Sequence, residues 1–386
     1  MTRTIKAIAW IVWVIAMAWG EYGVVQRLLH GERNVNYGSY IPWGLLVVGK
    51  VYLIGLGVGT SMFAWIVYAF GLKKYFSLAR QALLASVIAV LMGMTIIAFD
   101  LGHMWRSFEV FYRPQFRSLI AWASWFAVLN IAYAGIVFYF DIAAKLTPAG
   151  RRGVGWIGIF LAIAFSGCNG AEFAGLIAHP YWNSTLGPIL SIGGDLLSGF
   201  ALMLFIASCF HKELLQGDQE PLARLGRVVL GLIVALLILQ WSEFSISAWY
   251  GVGQVAGLYR KLLFGSGWYL FWGVQLLLGC LIPAALLLWQ PGNRSVAGLA
   301  ALLVTAAFLA ARYNLVLPGQ TTPTFEGLQQ AYTDAHLTFE YYPSAREWSL
   351  LVFCVALGIG MFVVARRLLL GGFLSIPVKV GQYSYE

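Results

Sequence analysis

Ten stretches of about 20 apolar residues follow one another along the chain, at roughly 5–29, 41–70, 80–102, 117–143, 154–178, 187–210, 224–250, 265–290, 296–316 and 347–370. A helix rises about 1.5 Å per residue, so each stretch is long enough to cross a hydrocarbon core roughly 30 Å thick. Inside that core every backbone N–H and C=O needs an internal partner, and a helix supplies one within a single segment. The expected fold is an all-α polytopic membrane protein of about ten transmembrane helices. Only 11% of the 386 residues are charged, whereas a soluble domain carries roughly 25%. Disordered, collagen-like and disulfide-scaffold chains are excluded by the same composition.

The formal charge of +9 does not point to nucleic acid, because the basic residues lie between apolar runs, where they set orientation. Loops on the side of the N-terminus hold 15 Lys and Arg and the opposite loops 9, with Lys50 inside the second run. The positive-inside rule then puts both termini in the cytoplasm, and the expected home is a prokaryotic inner membrane. The first run ends Ala18-Trp19-Gly20-Glu21 without a small-residue cleavage site, so no cleavable signal peptide is expected. Cys168, Cys209, Cys280 and Cys354 stand singly, which gives no spacing for an iron–sulfur cluster or zinc site in this chain. Two connections are long: 211–223, of mixed charge, and 317–346, with Pro318, Gly319, Pro323 and Pro343, which reads as a docking or lid loop on the outer face.

A charge inside a span costs several kcal/mol and marks a site. Glu21, Asp100, His103, Glu172, His179, Glu243 and Arg312 all fall toward the outer leaflet, with Lys50 and Asp195 about two turns deeper and Arg106 singled out near the end of the third run. Asp100 and His103, three residues apart, are expected to share a helix face. A carboxylate beside an imidazole can accept and pass a proton, which suits chemistry in which protons and electrons leave a substrate together. Glu172 and His179, seven apart, make a second such face. The plain alternative is that these residues bridge helices or cap span ends. His30, His211 and His336 read as interfacial or loop residues.

Span two opens Tyr37-Gly38-Ser39-Tyr40-Ile41-Pro42-Trp43-Gly44, with Tyr40 and Trp43 expected on one face above Lys50. These aromatics either line a slot for a flat ring or anchor the interface. Gly55, Gly57 and Gly59 read as close helix packing rather than a phosphate loop. A weak echo relates spans two to five and six to nine. Tyr40, Trp43 and Lys50 correspond to Tyr181, Trp182 and Asp195, and Asp100 corresponds to Glu243. It suggests two four-helix bundles plus two peripheral helices, with pseudo-repeat halves near 30–150 and 180–316 in one membrane domain.

The strings YGSYIPWGLLVVGKVYLIGLGVG, AFDLGHMWRSF, HPYWNSTLGPIL and RYNLVLPGQ followed by YYPSAREW resemble the NrfD/PsrC family, the membrane subunits of polysulfide reductase and related respiratory complexes. Ten spans are most similar to its longer HybB/DsrP/QrcD-type branch. The resemblance implies a quinone or menaquinone bound near the outer face. It implies electron exchange with a docked ferredoxin-like iron–sulfur subunit, a further catalytic subunit, and no haem or cluster in this chain. It places Asp100 and His103 at the proton-exchanging position, where many relatives carry Arg in place of His103. Tyr40, Trp43 and Gly44, with Glu21 and Arg106, fall around the quinone. Lys50, Glu172, His179, Asp195 and Glu243 fall on a possible proton path. A b-type cytochrome and a proton-coupled secondary transporter remain the competing functions. The cytochrome needs paired axial His on facing helices; the transporter would draw on the repeat and the buried acids.

Overall fold

The computed structural model describes residues 3–33, 35–210, 219–250, 253–321 and 337–370; His211, His336, most of the 211–223 connection and 322–336 of the 317–346 loop lie outside the described residues. Among the described residues ten helices are long and apolar enough to cross a membrane. We label them with one shorter helix in chain order: α1 Arg3–His30, α2 Leu45–Ala69, α3 Phe76–Asp100, α4 Leu119–Ile142, α5 Pro148–Ala174, α6 Gly187–Phe210, α7 Glu220–Tyr250, the short α8 Gly253–Phe264, α9 Leu270–Trp289, α10 Arg294–Val316 and α11 Ala345–Ala365. The first twelve residues of α9, Leu270–Leu281, form wider π-type turns before α geometry resumes at Ile282. Every expected span is present, so the chain is an all-α integral membrane protein.

Helix starts are set by local chemistry. The Thr147 hydroxyl accepts from the Gly150 N–H at 3.0 Å, with Pro148 in the first turn of α5. The Asn293 side chain accepts from Ser295 and Val296 at the head of α10. Ser344 and Glu347 make a reciprocal capping box on α11. Each supplies partners for N–H groups that the first helical turn leaves orphaned.

Helices α2, α3, α4 and α5 pack as a ring in which each touches the next, and α6, α7, α9 and α10 form a second ring. The first ring closes only with α5 and so extends to Ala174. The rings meet where α2 crosses α6. There a Cβ on Gly59 would collide with the Asp195 carbonyl and one on Gly199 with the Gly59 backbone, so only glycine permits the crossing. Helix α1 pairs with α11, which leans on α3. Much of α1 remains exposed, including Trp10, Ile11, Val12 and Ile15, as suits a lipid-facing helix. The Ala-rich α10 is deeply packed through Ala297, Ala300, Ala301 and Ala307.

Three expected helical pairings do not form. Helix α3 stops at Asp100 and Leu101 turns extended, because the Arg27 guanidinium takes the last carbonyls, donating to Phe99 O at 2.6 Å and Leu101 O at 2.9 Å. His103 therefore lies beyond the helix and shares no face with Asp100. Helix α5 ends at Ala174, which leaves His179 in the following turn rather than above Glu172. Tyr40 and Trp43 precede α2, which begins at Leu45, and they point to different partners.

Candidate functional site

At the Asp100 end of the first ring the Asp100 side chain is half-buried, and its Oδ1, itself shielded from solvent, has no hydrogen-bond partner among the described residues. The hydroxyl of Tyr37, on the loop leading into α2, is also buried and unpartnered among them. Burial, followed by the charges of Asp100 and Glu32, raises the Tyr37 phenol above its ordinary range, so it stays a donor. Arg27 meets Glu32 at 3.2 Å. Three acids, Asp100, Glu32 and Glu347, and one arginine, Arg27, stand in electrostatic reach of Tyr37. Two polar atoms left idle at a buried site are costly unless something else satisfies them.

Glu347 is fully buried and saturated. It accepts from the Tyr341 hydroxyl, the Leu45 N–H at 3.2 Å and the Ser344 N–H at 2.9 Å, with Asn36 N–H at 3.4 Å. The Tyr341 hydroxyl in turn accepts from Leu45 N–H at 2.7 Å. A Cβ on Gly44 would strike Glu347, Tyr341 and Tyr37, so Gly44 makes room for this cluster. Burial and the Glu347 charge raise the Tyr341 phenol, which keeps it protonated.

Trp43 stacks on Trp182 at 5.2 Å between centroids and meets Phe173 edge-on, while Gln320 brackets its backbone N–H and C=O at 3.0 and 3.1 Å. Tyr40 stacks on Phe339 instead. Deeper, Lys50 pairs with Glu172 at 2.6 Å, and the second Glu172 oxygen has no partner among the described residues. At the meeting of the rings Asp195 pairs with Arg312 and accepts from Ser166 at 2.5 Å. Glu243 and Arg312 line a chamber of about 120 Å³. The buried charges singled out in the sequence are thus distributed over three separate clusters.

Some expected site residues stand apart. Glu21 is exposed on α1. Arg106 is exposed and faces Glu109 at 3.5 Å. His103 is exposed and lines a shallow recess of about 460 Å³ with Arg27 and Arg106. The His179 ring nitrogen Nδ1 lies 2.9 Å from the Gly319 carbonyl. Among the described residues no group of three His, Cys, Asp or Glu side chains gathers to hold a metal.

Sequence reasoning missed Tyr37, Arg27, Glu347 and Tyr341. A signal existed for Glu347, since Ser344-x-x-Glu347 before an apolar run is a capping box. It also missed Asp141, at the other end of the ring, which accepts from Tyr68 at 3.0 Å and pairs with Arg80 at 2.7 Å and Arg151 at 2.6 Å.

Comparison with known proteins bears on this arrangement. A selenate reductase subunit of Mesobacillus selenatarsenatis is 27% identical, over 90% of this chain and 90% of the relative. The Hdr-like menaquinol oxidoreductase integral membrane subunit of Archaeoglobus fulgidus is 25% identical, over 97% and 95%. The probable Ni/Fe-hydrogenase 2 b-type cytochrome subunit of Escherichia coli is 26% identical, over 57% and 61%. The family model described as polysulphide reductase, NrfD, matches residues 34–324, from the Tyr37 entry through both rings. With three quarters of its length so matched, this chain belongs to the NrfD polysulphide reductase family.

Proposed function

We propose that this chain is the quinone-reactive membrane subunit of a respiratory oxidoreductase complex. It would exchange electrons between a menaquinone-type pool and an iron–sulfur subunit docked on the Asp100 side, with the other substrate's catalytic centre on a further subunit. One observation carries the reading. A buried carboxyl oxygen of Asp100 and the Tyr37 hydroxyl are both left without partners among the described residues at one end of the ring. A quinone ring has two oxygens that need a donor in one redox state and an acceptor in the other. A phenol and a carboxyl supply both. The A. fulgidus relative carries menaquinol oxidoreductase in its name, which agrees.

Asp100 is the proton-exchanging group and Tyr37 orients the ring oxygen. His103, exposed in the recess beyond the helix end, hands protons to water, and Arg27 fixes the end of α3 on which Asp100 stands. Trp43 and Gly44 shape the entry. Tyr40, Glu21 and Arg106 sit farther out, and we take them as interfacial. Lys50, Glu172, Asp195 and Glu243, with His179 at the mouth, are the groups from which a proton path would be built. The two rings correspond to two repeats, and the charge bias puts both termini in the cytoplasm of a prokaryotic cell, with the Asp100 end outside.

The test is quinol-dependent dye reduction by the intact complex carrying Asp100→Asn. Turnover should collapse while the subunits still co-purify. Turnover at the wild-type rate would remove Asp100 from the chemistry. The hydrogenase relative's name raises a second reading, a haem. His103 and His179 do not fit an axial pair, since His103 lies exposed outside the helices and His179 is turned to the Gly319 carbonyl. An absorption spectrum with a Soret band would restore that reading.

A further inference from the structure

A cavity of about 560 Å³ lies apart from the recess at His103 and from the chamber at Glu243. Its α10 wall runs from Tyr313 through Leu309 to Ala306, and Leu270 and Val274, on the π-type stretch of α9, line it as well. The rise from Ala306 to Tyr313 amounts to about 10 Å of helix, so the cavity reaches roughly two turns below its mouth. Turns of the π type are rare and are frequently found at functional sites. Ala306 is exposed on α10, which opens the lower part of the cavity toward the bilayer.

The mouth carries the marks of a membrane–water interface. Tyr269, Tyr342 and Trp348 line the cavity and are exposed, as aromatic side chains at headgroup depth are. Two opposite charges stand there too. Lys261 of α8 and Glu340 of the loop before α11 both line the cavity, are exposed, and lie in electrostatic reach of each other. Among the described residues no direct ion pair closes between them. Lys261 instead donates to Thr321 O at 3.3 Å, which uses one of the three N–H groups of its ammonium.

An open pair of opposite charges above an apolar pit discriminates among occupants by charge. A neutral ring leaves both charges unmatched. A lipid head with negative charge alone is attracted by Lys261 and opposed by Glu340. A head with a phosphate and a primary ammonium matches both, because the phosphate accepts from Lys261 and the ammonium donates to Glu340. We propose that this cavity binds a zwitterionic phospholipid, phosphatidylethanolamine, with its head between Lys261 and Glu340 and an acyl chain along Leu309, Val274 and Ala306. Bound there, the head ties α8 to the loop that carries Glu340. The assignment stands apart from the quinone reading, since it draws on neither Asp100 nor Tyr37.

The test is photolabelling of the intact purified complex with phosphatidylethanolamine carrying a diazirine in one acyl chain, followed by peptide mapping. Adducts are expected within 266–274 and 306–317, and unlabelled phosphatidylethanolamine should suppress them. Phosphatidylglycerol should need at least about threefold more lipid for the same suppression, the size of one exposed charge contact. Glu340→Gln should erase that preference, and Lys261→Gln should weaken both lipids. Equal or better suppression by phosphatidylglycerol in the unaltered protein would overturn the proposal in favour of an anionic-lipid site. A preference that survives Glu340→Gln would remove the charge pair from recognition and overturn it as well. Suppression by menaquinone and not by phosphatidylethanolamine would give the cavity to a quinone. Adducts that fall only elsewhere, or that no phosphatidylethanolamine suppresses, would mean bulk lipid alone and end the proposal. The competition series on the unaltered protein decides the matter even if a variant fails to assemble.

Discussion

Asp100 closes α3 at one end of the first ring and Asp141 closes α4 at the other. Asp141 has the more complete surroundings: two arginines at 2.6 and 2.7 Å and a tyrosine hydroxyl at 3.0 Å fill its acceptor sites. Among the described residues Asp100 has no ion pair, one idle oxygen, and two other carboxylates nearby. The same residue type, in the same bundle, is satisfied where it is fully buried and left wanting where it is half-buried. A fully bonded carboxylate holds helices together and has no reason to change its protonation. An unsatisfied one costs stability, and that cost is expected where the missing partner is a substrate.

The sharpest way to break this contrast is to remove the saturated acid. Asp141→Ala leaves Arg80 and Arg151 facing each other beside Tyr68. Breaking a buried pair costs about 3–5 kcal/mol, and Arg80, at 36% side-chain exposure, can recover part of its hydration. We expect the low end of that range, seen as a lower Tm of the detergent-solubilised complex or as failure to co-purify. An unchanged Tm would mean that the cluster contributes nothing to holding α3, α4 and α5 together.

Asp100→Asn should do the reverse. No ion pair is lost and the volume is kept, so Tm should stay within about 0.5 kcal/mol equivalent of wild type. Removing a positioned acid–base group typically costs 10²–10⁴ in rate, so quinol turnover should fall by about a hundredfold or more. A destabilised Asp100→Asn with normal specific activity would place Asp100 in the same structural class as Asp141.

How far such contrasts were legible in the sequence follows from what each depends on. All ten spans were legible, because a bilayer imposes a length and composition that a linear string displays. The helix ends were read less well. Gly102, between Asp100 and His103, was a local stop signal that went unread, and the guanidinium that takes the carbonyls at that end belongs to Arg27, more than seventy residues earlier. Asp100 was recognisable as an expensive residue, but its neighbours Tyr37 and Glu347 come from a loop and from the last span, and only folding brings them together. Asp195 and Arg312 were both visible as buried charges, yet their pairing between α6 and α10 of the second ring had no signature in spacing. Asp141 went unremarked because it sits near a span end, where a charge looks cheap.

Tyr37→Phe sharpens the comparison from the other side of the site. The hydroxyl has no partner among the described residues, so its removal should leave stability unchanged or slightly raised. If it bonds the substrate, turnover should fall by roughly two- to tenfold, the worth of one hydrogen bond of about 0.5–1.5 kcal/mol. The pH dependence is fixed by sign. Burial and the neighbouring carboxylates raise the phenol above its ordinary value, near about 10 for tyrosine, so it is protonated at every pH below that. The ratio of wild-type to variant turnover should therefore be flat between about pH 6 and pH 9. A ratio that shrinks toward alkaline pH would mean that the phenol ionises in the working range.

The smallest effects are expected where the sequence pointed and the structure did not follow. Glu21 is exposed on α1. Arg106 is 72% exposed on its side chain, with Glu109 at 3.5 Å as its partner, and an exposed pair of this kind contributes about 0–1 kcal/mol. Glu21→Gln and Arg106→Gln should each change quinol turnover by less than about twofold, since neither side chain touches Asp100 or Tyr37 and the surface charges are screened by salt. The two variants separate, however, once the partner subunit is considered. Arg106 stands on the exposed segment between α3 and α4, on the side proposed to receive the iron–sulfur subunit. If turnover with quinol and a small dye is unchanged in Arg106→Gln but electron delivery through the complete complex falls, the residue belongs to docking rather than to the quinone. If dye reduction itself falls as it does for Asp100→Asn, the recess at His103 and Arg106 is part of the reacting site, and the reacting site extends past the end of α3.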